Sequence, residues 1–348
     1  MSENKERIVL DVAYQPQVRT ATDTKRIMLN VILALMPALA VAVWQYGIYP
    51  LVLALISVAS AVFFEWGYRK LMKKTCTVGD LSACLTGLLL AFVLPTNAPW
   101  WLPIIGNFFA IVVVKQLYGG IGKNFLNPAL AGRAFLLASY AAIMSGAYLV
   151  PKALRSTIDA ATMATPLSFL YDTGAMPEYF SFVDLLIGKV PGCIGEISAL
   201  ALIIGGVYLV LRKVISWRIP VSFVGTVALL CLIFGYQGYG RVEWMLYNVL
   251  SGGLMLGAIF MATDYATSPV TLKGQLLFGA GCGALTVLIR YFGGFPEGVS
   301  YAILIMNLCS WAIDKAFHRH QFGVSKEDIK AQKEAKKAAK KAAKEAAK

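Results

Sequence analysis

Long, nearly unbroken apolar stretches dominate the chain, separated by short polar turns rich in glycine, proline or basic residues. Ten such stretches are read at 27–45, 50–68, 80–96, 100–116, 128–149, 192–211, 219–236, 243–262, 273–290 and 298–316. A membrane-spanning helix needs about 20 apolar residues. The stretches are continuous rather than alternating, so they predict helices and not the strands of an outer-membrane barrel. The third and fourth are short. Pro95-Thr96-Asn97-Ala98-Pro99 joins them, and two prolines restrict that segment to a tight turn.

Composition supports this pattern. Of 348 residues, 58% are hydrophobic and 15% charged, against about 25% charged in soluble domains. Mean hydropathy is +0.64. One soluble core cannot absorb that much apolar surface. An ordinary cytoplasmic enzyme, a disordered protein and a secreted disulfide scaffold are all excluded. The expected fold is an all-α polytopic membrane protein of about ten transmembrane helices. Its expected divisions are an N-terminal segment 1–26, a first membrane half 27–149, an outer loop 150–191, a second membrane half 192–318 and a basic tail 319–348. Five spans per half would make the halves inverted and put a site between them. Gly87-Leu88-Leu89-Leu90 against Gly253-Leu254-Met255-Leu256, and Gly119-Gly120 against Gly293-Gly294, are weak signs of such a repeat.

The net charge of +13 changes the picture through its distribution. Basic residues favour the cytoplasmic side in short loops. Lys5, Arg7, Arg19, Lys25 and Arg26 precede the first span, and Arg69, Lys70, Lys73 and Lys74 follow the second. Lys115 and Lys123 follow the fourth, and Arg212, Lys213 and Arg218 follow the sixth. The alternation predicts both termini on the cytoplasmic side of the membrane. Loop 150–191 then lies outside, with Lys152, Arg155 and Lys189 as mild exceptions. From Val324 onward, nine Lys against four acids leave +5. With no aromatics to stack bases, this tail predicts no nucleic-acid partner. A solvated helix or arm is the preferred reading, and contact with anionic membrane lipid the sharper one. The first thirty residues are polar and mixed in charge, unlike a signal peptide.

Six cysteines occur without CxxC spacing and mostly within apolar stretches, where Cys acts as a small hydrophobe. No metal site is expected within the chain; an iron–sulfur centre shared at a subunit interface stays open. Acids near the spans are functional candidates by default: Glu65, Asp80, Asp184, Glu196, Asp264 and Asp314. Asp264 lies in Thr263-Asp264-Tyr265-Ala266-Thr267-Ser268-Pro269, which reads equally as a helix end or a polar pocket wall. In Gly119-Gly120-Ile121-Gly122-Lys123-Asn124-Phe125-Leu126-Asn127-Pro128, the Asn127-Pro128 pair is a good helix start. Such an N-terminus, with Asn124 nearby, suits a carbonyl-rich or anionic ligand, or simply caps an inner loop.

The outer loop carries Asp159-Ala160-Ala161-Thr162-Met163-Ala164-Thr165, which by itself is a polar turn. It resembles Asp-x-x-(Ser or Thr)-Gly-Ala-Thr, the acceptor motif of flavin transferases, with Met163 where Gly is usual. Together with Asn127-Pro128-Ala129 through Gly132-Arg133-Ala134-Phe135 and Thr263-Asp264, it makes residues from about 20 to 320 similar to the RnfD family of the Rnf ion-translocating electron-transport complexes. The chain is also similar to the B-type membrane component of the Na⁺-translocating NADH:quinone reductases, which is typically longer at the N-terminus. The resemblance implies ten helices in two inverted halves. It implies FMN esterified to Thr165, with Asp159 and Thr162 shaping the acceptor turn. It further implies a noncovalent riboflavin, for which Asn124, Asn127, Thr263 and Asp264 are the candidate contacts. Partners implied are the other Rnf subunits (the flavoprotein RnfG, with RnfA, RnfB, RnfC and RnfE) and a flavin transferase. Electron transfer between ferredoxin and NAD⁺, coupled to Na⁺ or H⁺ movement, is the expected function. A non-redox channel or solute transporter is the alternative, and a structural anchor for soluble redox subunits a third reading.

Overall fold

A computed structural model describes residues 23–146, 148–152, 162–173, 181–235, 240–293 and 297–317. The first two helices, α1 (Thr24–Tyr46) and α2 (Tyr49–Leu71), have 23 residues each. That is about 34 Å, enough for a hydrocarbon layer of about 30 Å. Asp23 opens α1 by accepting the Thr24 N–H at 2.8 Å, and Pro50 sits in the first turn of α2. Next come α3 (Ser82–Phe92), α4 (Leu102–Asn107, continuing as a π-helix over Phe108–Gln116) and α5 (Pro128–Ser139). The loop region holds α6 (Ala141–Met144), strands β1 (Tyr148–Leu149) and β2 (Thr162–Met163), α7 (Pro166–Thr173) and α8 (Phe182–Ile187). The second half has α9 (Ala199–Leu211), α10 (Arg218–Phe234) and α11 (Arg241–Leu250). It ends with α12 (Leu254–Leu256, a π-helix onward to Met261), α13 (Leu272–Phe292) and α14 (Val299–Ala316).

Among the described residues, α1, α2 and α13 are each long and apolar enough to span a membrane alone. The run from α11 to Met261 makes a fourth, broken span bent by 62°. Helices α3, α4 with its π-helical extension, α9 and α10 are apolar but shorter. The chain is thus a helical, multi-pass membrane protein.

Three expected stretches end differently in the structure. The stretch 128–149 stops being one helix at Ser139, because Tyr140 leaves helical backbone (φ −131°). The stretch 192–211 becomes helical only at Ala199. Its first residues bond elsewhere: Ile194 N–H reaches the Leu94 carbonyl at 3.1 Å and Gly195 N–H the Phe92 carbonyl at 2.7 Å. Phe92 is the last residue of α3 and Leu94 lies two residues beyond it, so neither carbonyl has a partner within the helix. The stretch 243–262 breaks because Gly252 and Gly253 both take positive φ (71° and 67°).

Helix α10 packs along α13, α2 along α3, and α1 crosses α9. At that crossing Gly205 lies so near the Ala34 carbonyl that no Cβ fits. Small residues allow this close approach where lipid gives helices no hydrophobic reason to associate. Leu35, Leu53, Leu90, Phe92, Phe223, Trp244 and Phe278 form the buried core. Trp44, Leu55, Phe63, Leu229, Phe234, Phe292 and Trp311 stay exposed, as lipid-facing positions require. One end of the bundle is tied by Tyr46 hydroxyl to the Val190 carbonyl (2.8 Å) and Tyr49 hydroxyl to the Ala98 carbonyl (2.7 Å). At the other end, where α1 begins, the Tyr265 hydroxyl donates to the Val214 carbonyl.

Candidate functional site

Thr165 is held by the two-strand ladder before it and the helix after it. Met163 pairs with Tyr148, and Thr162 with Leu149. Met163 is not among the described non-glycine residues with positive φ, so this extended position has no need of glycine. Pro166 then starts α7, and buried Leu167 and Leu170 pin that helix to the bundle. Leu167 lies against Gly252, at the break between α11 and α12. The Thr165 hydroxyl accepts the Ser168 N–H at 3.2 Å and lies 2.9 Å from the Ser168 hydroxyl. It is therefore the cap of α7, at the positive end of a helix dipole. Only 4% of Thr165 is exposed. Thr162 is exposed on the ladder, and Asp159 lies outside the described residues.

The remaining four candidates meet at the opposite end. Asn124, Asn127, Thr263 and Asp264 all line one cavity of about 90 Å³, together with Ser82, Lys115 and Tyr265. Much of their hydrogen bonding is already committed. Asn127 caps α5 by accepting the Ala129 N–H at 3.1 Å, and it donates to the Met261 carbonyl at 3.1 Å. Thr263 hydroxyl donates to the Ile259 carbonyl at 2.6 Å, and Asn124 to the Leu126 carbonyl at 3.0 Å. Thr267 hydroxyl donates to Asp264 at 3.1 Å. Burial raises the Asp264 carboxyl above its ordinary pKa, while this hydroxyl and the Ala266 and Tyr265 N–H groups pull it back.

A charged network adjoins that cavity. Lys115 Nζ lies 2.7 Å from Glu65 Oε2 and 2.6 Å from Ser82 Oγ, and Thr77 hydroxyl donates to Glu65 Oε1 at 2.7 Å. Both side chains of the ion pair are almost fully buried. The sequence singled out Glu65 but treated Lys115 as a loop charge. A lysine inside an apolar run was the available signal. Arg133 and Glu297 were missed as a pair; they meet at 2.5 Å although 164 residues apart. Glu297 lies in a Pro-Glu-Gly turn that reads as solvated, so no sequence signal marks it.

Other acids have local tasks. Asp80 accepts from the Ser82 N–H (2.8 Å), Asp184 closes a capping box with Ser181, and Asp314 accepts from the Val270 and Thr271 N–H groups. All six cysteines are free thiols; Cys193, Cys231 and Cys282 are buried, and Cys76 and Cys309 are exposed.

Known proteins match nearly the whole of this chain. The family model described as NQR2, RnfD, RnfE matches residues 11–323. The chain is 49% identical, over 91% of its length and 96% of the relative, to the D subunit of the Na⁺-translocating ferredoxin:NAD⁺ oxidoreductase complex of Acetobacterium woodii. It is 40% identical, over 91% of its length and 97% of the relative, to the D subunit of the proton-translocating ferredoxin:NAD⁺ oxidoreductase complex of Clostridium ljungdahlii. The D subunit of the ion-translocating oxidoreductase complex of Escherichia coli is 36% identical over 88% of this chain and 96% of its own length. With a family model over nearly the whole chain and relatives that are all named as D subunits, the family is plain: the chain belongs to the NQR2, RnfD, RnfE family, on its RnfD branch.

Proposed function

We propose that the chain is the RnfD membrane subunit of an ion-translocating ferredoxin:NAD⁺ oxidoreductase complex in a prokaryotic inner membrane. In this reading its helices form ten spans in two inverted halves, both termini are cytoplasmic, and Thr165 carries FMN as a phosphoester. RnfA, RnfB, RnfC, RnfE and RnfG are its partners, and a flavin transferase loads it. The near full-length identity to two proteins of that name carries the reading. The name does not fix the ion, since one relative is named for Na⁺ and the other for protons.

The residues at Thr165 fit an esterified phosphate. Its oxygen already occupies the α7 cap, where backbone N–H groups and the helix dipole favour an anion. Bound there, the flavin would supply the electron-transfer chemistry, and the chain its position and electrostatics. Because Thr165 is buried, the acceptor turn has to open before a transferase can reach the hydroxyl.

Riboflavin is placed at the Asn127–Asp264 cavity in this reading. The polar edge suits it: Asn124, Thr263 and Asp264 border the space with Lys115 behind. The volume does not enclose it. About 90 Å³ is less than the cavity of about 150 Å³ that holds a benzene. A tricyclic ring enters only if segment 117–127 moves or if part of the ring stays outside.

The test uses protein from its own host. A denaturing gel followed by peptide mass spectrometry should show one FMN on the Thr165 peptide. Thr165→Ala should abolish it, and Thr165→Ser should keep the α7 cap. Unmodified Thr165 in a host that has the transferase would sink the assignment and favour a non-redox transporter, whereas covalent flavin persisting in Thr165→Ala would sink Thr165 as the attachment site and leave the redox reading standing.

A further inference from the structure

A second buried cluster lies apart from the Asn127–Asp264 cavity. Helix α5 contributes Arg133, β1 contributes Tyr148, the segment before α9 contributes Cys193 and Glu196, and the turn before α14 contributes Glu297. Cys193 Sγ and one oxygen from each glutamate lie within 4.8 Å of one another. Arg133 Nη2 is 2.5 Å from Glu297 Oε2. Its Nη1 is 3.7 Å from Glu196 Oε1, too long for a hydrogen bond. The Tyr148 hydroxyl stands 3.5 Å from Glu297 Oε1. Cys193 is fully buried beside the two glutamates. Glu196 is 5% exposed at its side chain, and its Oε1 has no hydrogen-bond donor. Gly253 closes the other side, its Cα so near Glu196 Oε1 that no side chain fits between.

Charge counting then decides. Arg133 brings +1 and two ionised glutamates bring −2, which leaves −1 in a site with little water. An uncompensated buried charge is far costlier than taking up a proton. Two carboxylates within 4.8 Å of each other in a buried site disfavour double ionisation and favour taking up one proton. We infer that Glu196 and Glu297 form a one-proton site, with the proton resident on Glu196. Glu297 stays ionised because it holds Arg133 at hydrogen-bond distance, whereas the contact of Glu196 with Arg133 is the long one. Glu297 is 17% exposed at its side chain and links the site to water. Loading transfers one proton from hydronium to the Glu196 carboxylate; unloading returns it to water, with no redox change. Arg133, Tyr148 and Cys193 are the other titratable groups facing the pair. Employment of this proton in ion coupling rests on the redox reading above, but the existence of the site does not.

The test is infrared spectroscopy of the full chain in its complex, in lipid nanodiscs near neutral pH. Wild type minus Glu196→Gln should show one carboxylic-acid C=O band that shifts in heavy water. Glu297→Gln should remove the same band, because Arg133 then turns to Glu196 and ionises it. Cys193→Ser should keep the band. A band that survives in Glu297→Gln would overturn the proposal, as would no band at all. A band absent in sodium buffer but present when choline replaces sodium would assign the site to Na⁺ and also overturn it. If a glutamine variant fails to assemble, the sodium dependence of the wild-type band still decides.

Discussion

Lys115 ends an apolar run, and from its neighbours in sequence it belongs to a cytoplasmic loop. Folded, it is a buried ammonium held by Glu65 and Ser82. Removing one member of a buried pair costs about 3–5 kcal/mol, because the other charge stays unpaired. Lys115→Met should therefore lower the thermal unfolding midpoint sharply, and adding Glu65→Gln should restore most of it. A fluorescence melt of both variants in detergent checks this; equal midpoints for single and double variants would show that the two charges are not coupled. Asn127 was legible because Asn before Pro is a helix start in any context. Its donation to the Met261 carbonyl was not, since that partner is 134 residues away. Asn127→Ala should cost about 1 kcal/mol from the cap alone, with more from the lost tie, read in the same melt. Asp159 and Thr165 were singled out through a resemblance to a motif, and the capping role of Thr165 depends on a helix that segment 150–191 does not announce in sequence.

Helices were the easiest part of the chain to foresee. Apolar length alone located α1, α2, α10, α13 and α14 within a few residues. Their interruptions were harder, because what breaks them is a tertiary bond rather than a local preference. The residues before α9 leave the helix to satisfy α3, and only Gly252-Gly253 advertises the α11–α12 break. Of two π-helical stretches, Phe108–Gln116 contains Lys115 and Gly257–Met261 ends two residues before Thr263. Such turns recur at functional sites and have no clear sequence mark. The α1–α9 crossing gives a test of close packing. Gly205→Val should push the helices apart and cost about 1–3 kcal/mol. Gly225, which has open space around it, is the control: Gly225→Val should leave the melt unchanged. Equal tolerance of both substitutions would mean that the crossing does not need its glycine.

Across the whole molecule, the Thr165 helix and the Asn127–Asp264 cavity occupy opposite ends. That separation follows from helices reversing direction along the chain. Basic loops predicted which end faces the cytoplasm, and exposed Cys76 lies in the segment between α2 and α3 that tests it. A membrane-impermeant maleimide should label Cys76 in inverted vesicles and leave it untouched in right-side-out ones; peptide mapping separates it from Cys309. The reverse pattern would invert the topology.

The backbone bonds from Ile194 and Gly195 to the end of α3 also bear on how the protein is made. The ribosome delivers α3 about a hundred residues before the segment that completes it. Arg133 enters the membrane 164 residues ahead of Glu297. The part of the chain made first therefore has open carbonyls and an unmatched cation until those partners arrive. A nascent chain stalled before Gly192 should be held by the insertion machinery or degraded, and full release should come only once Glu297 has been synthesised.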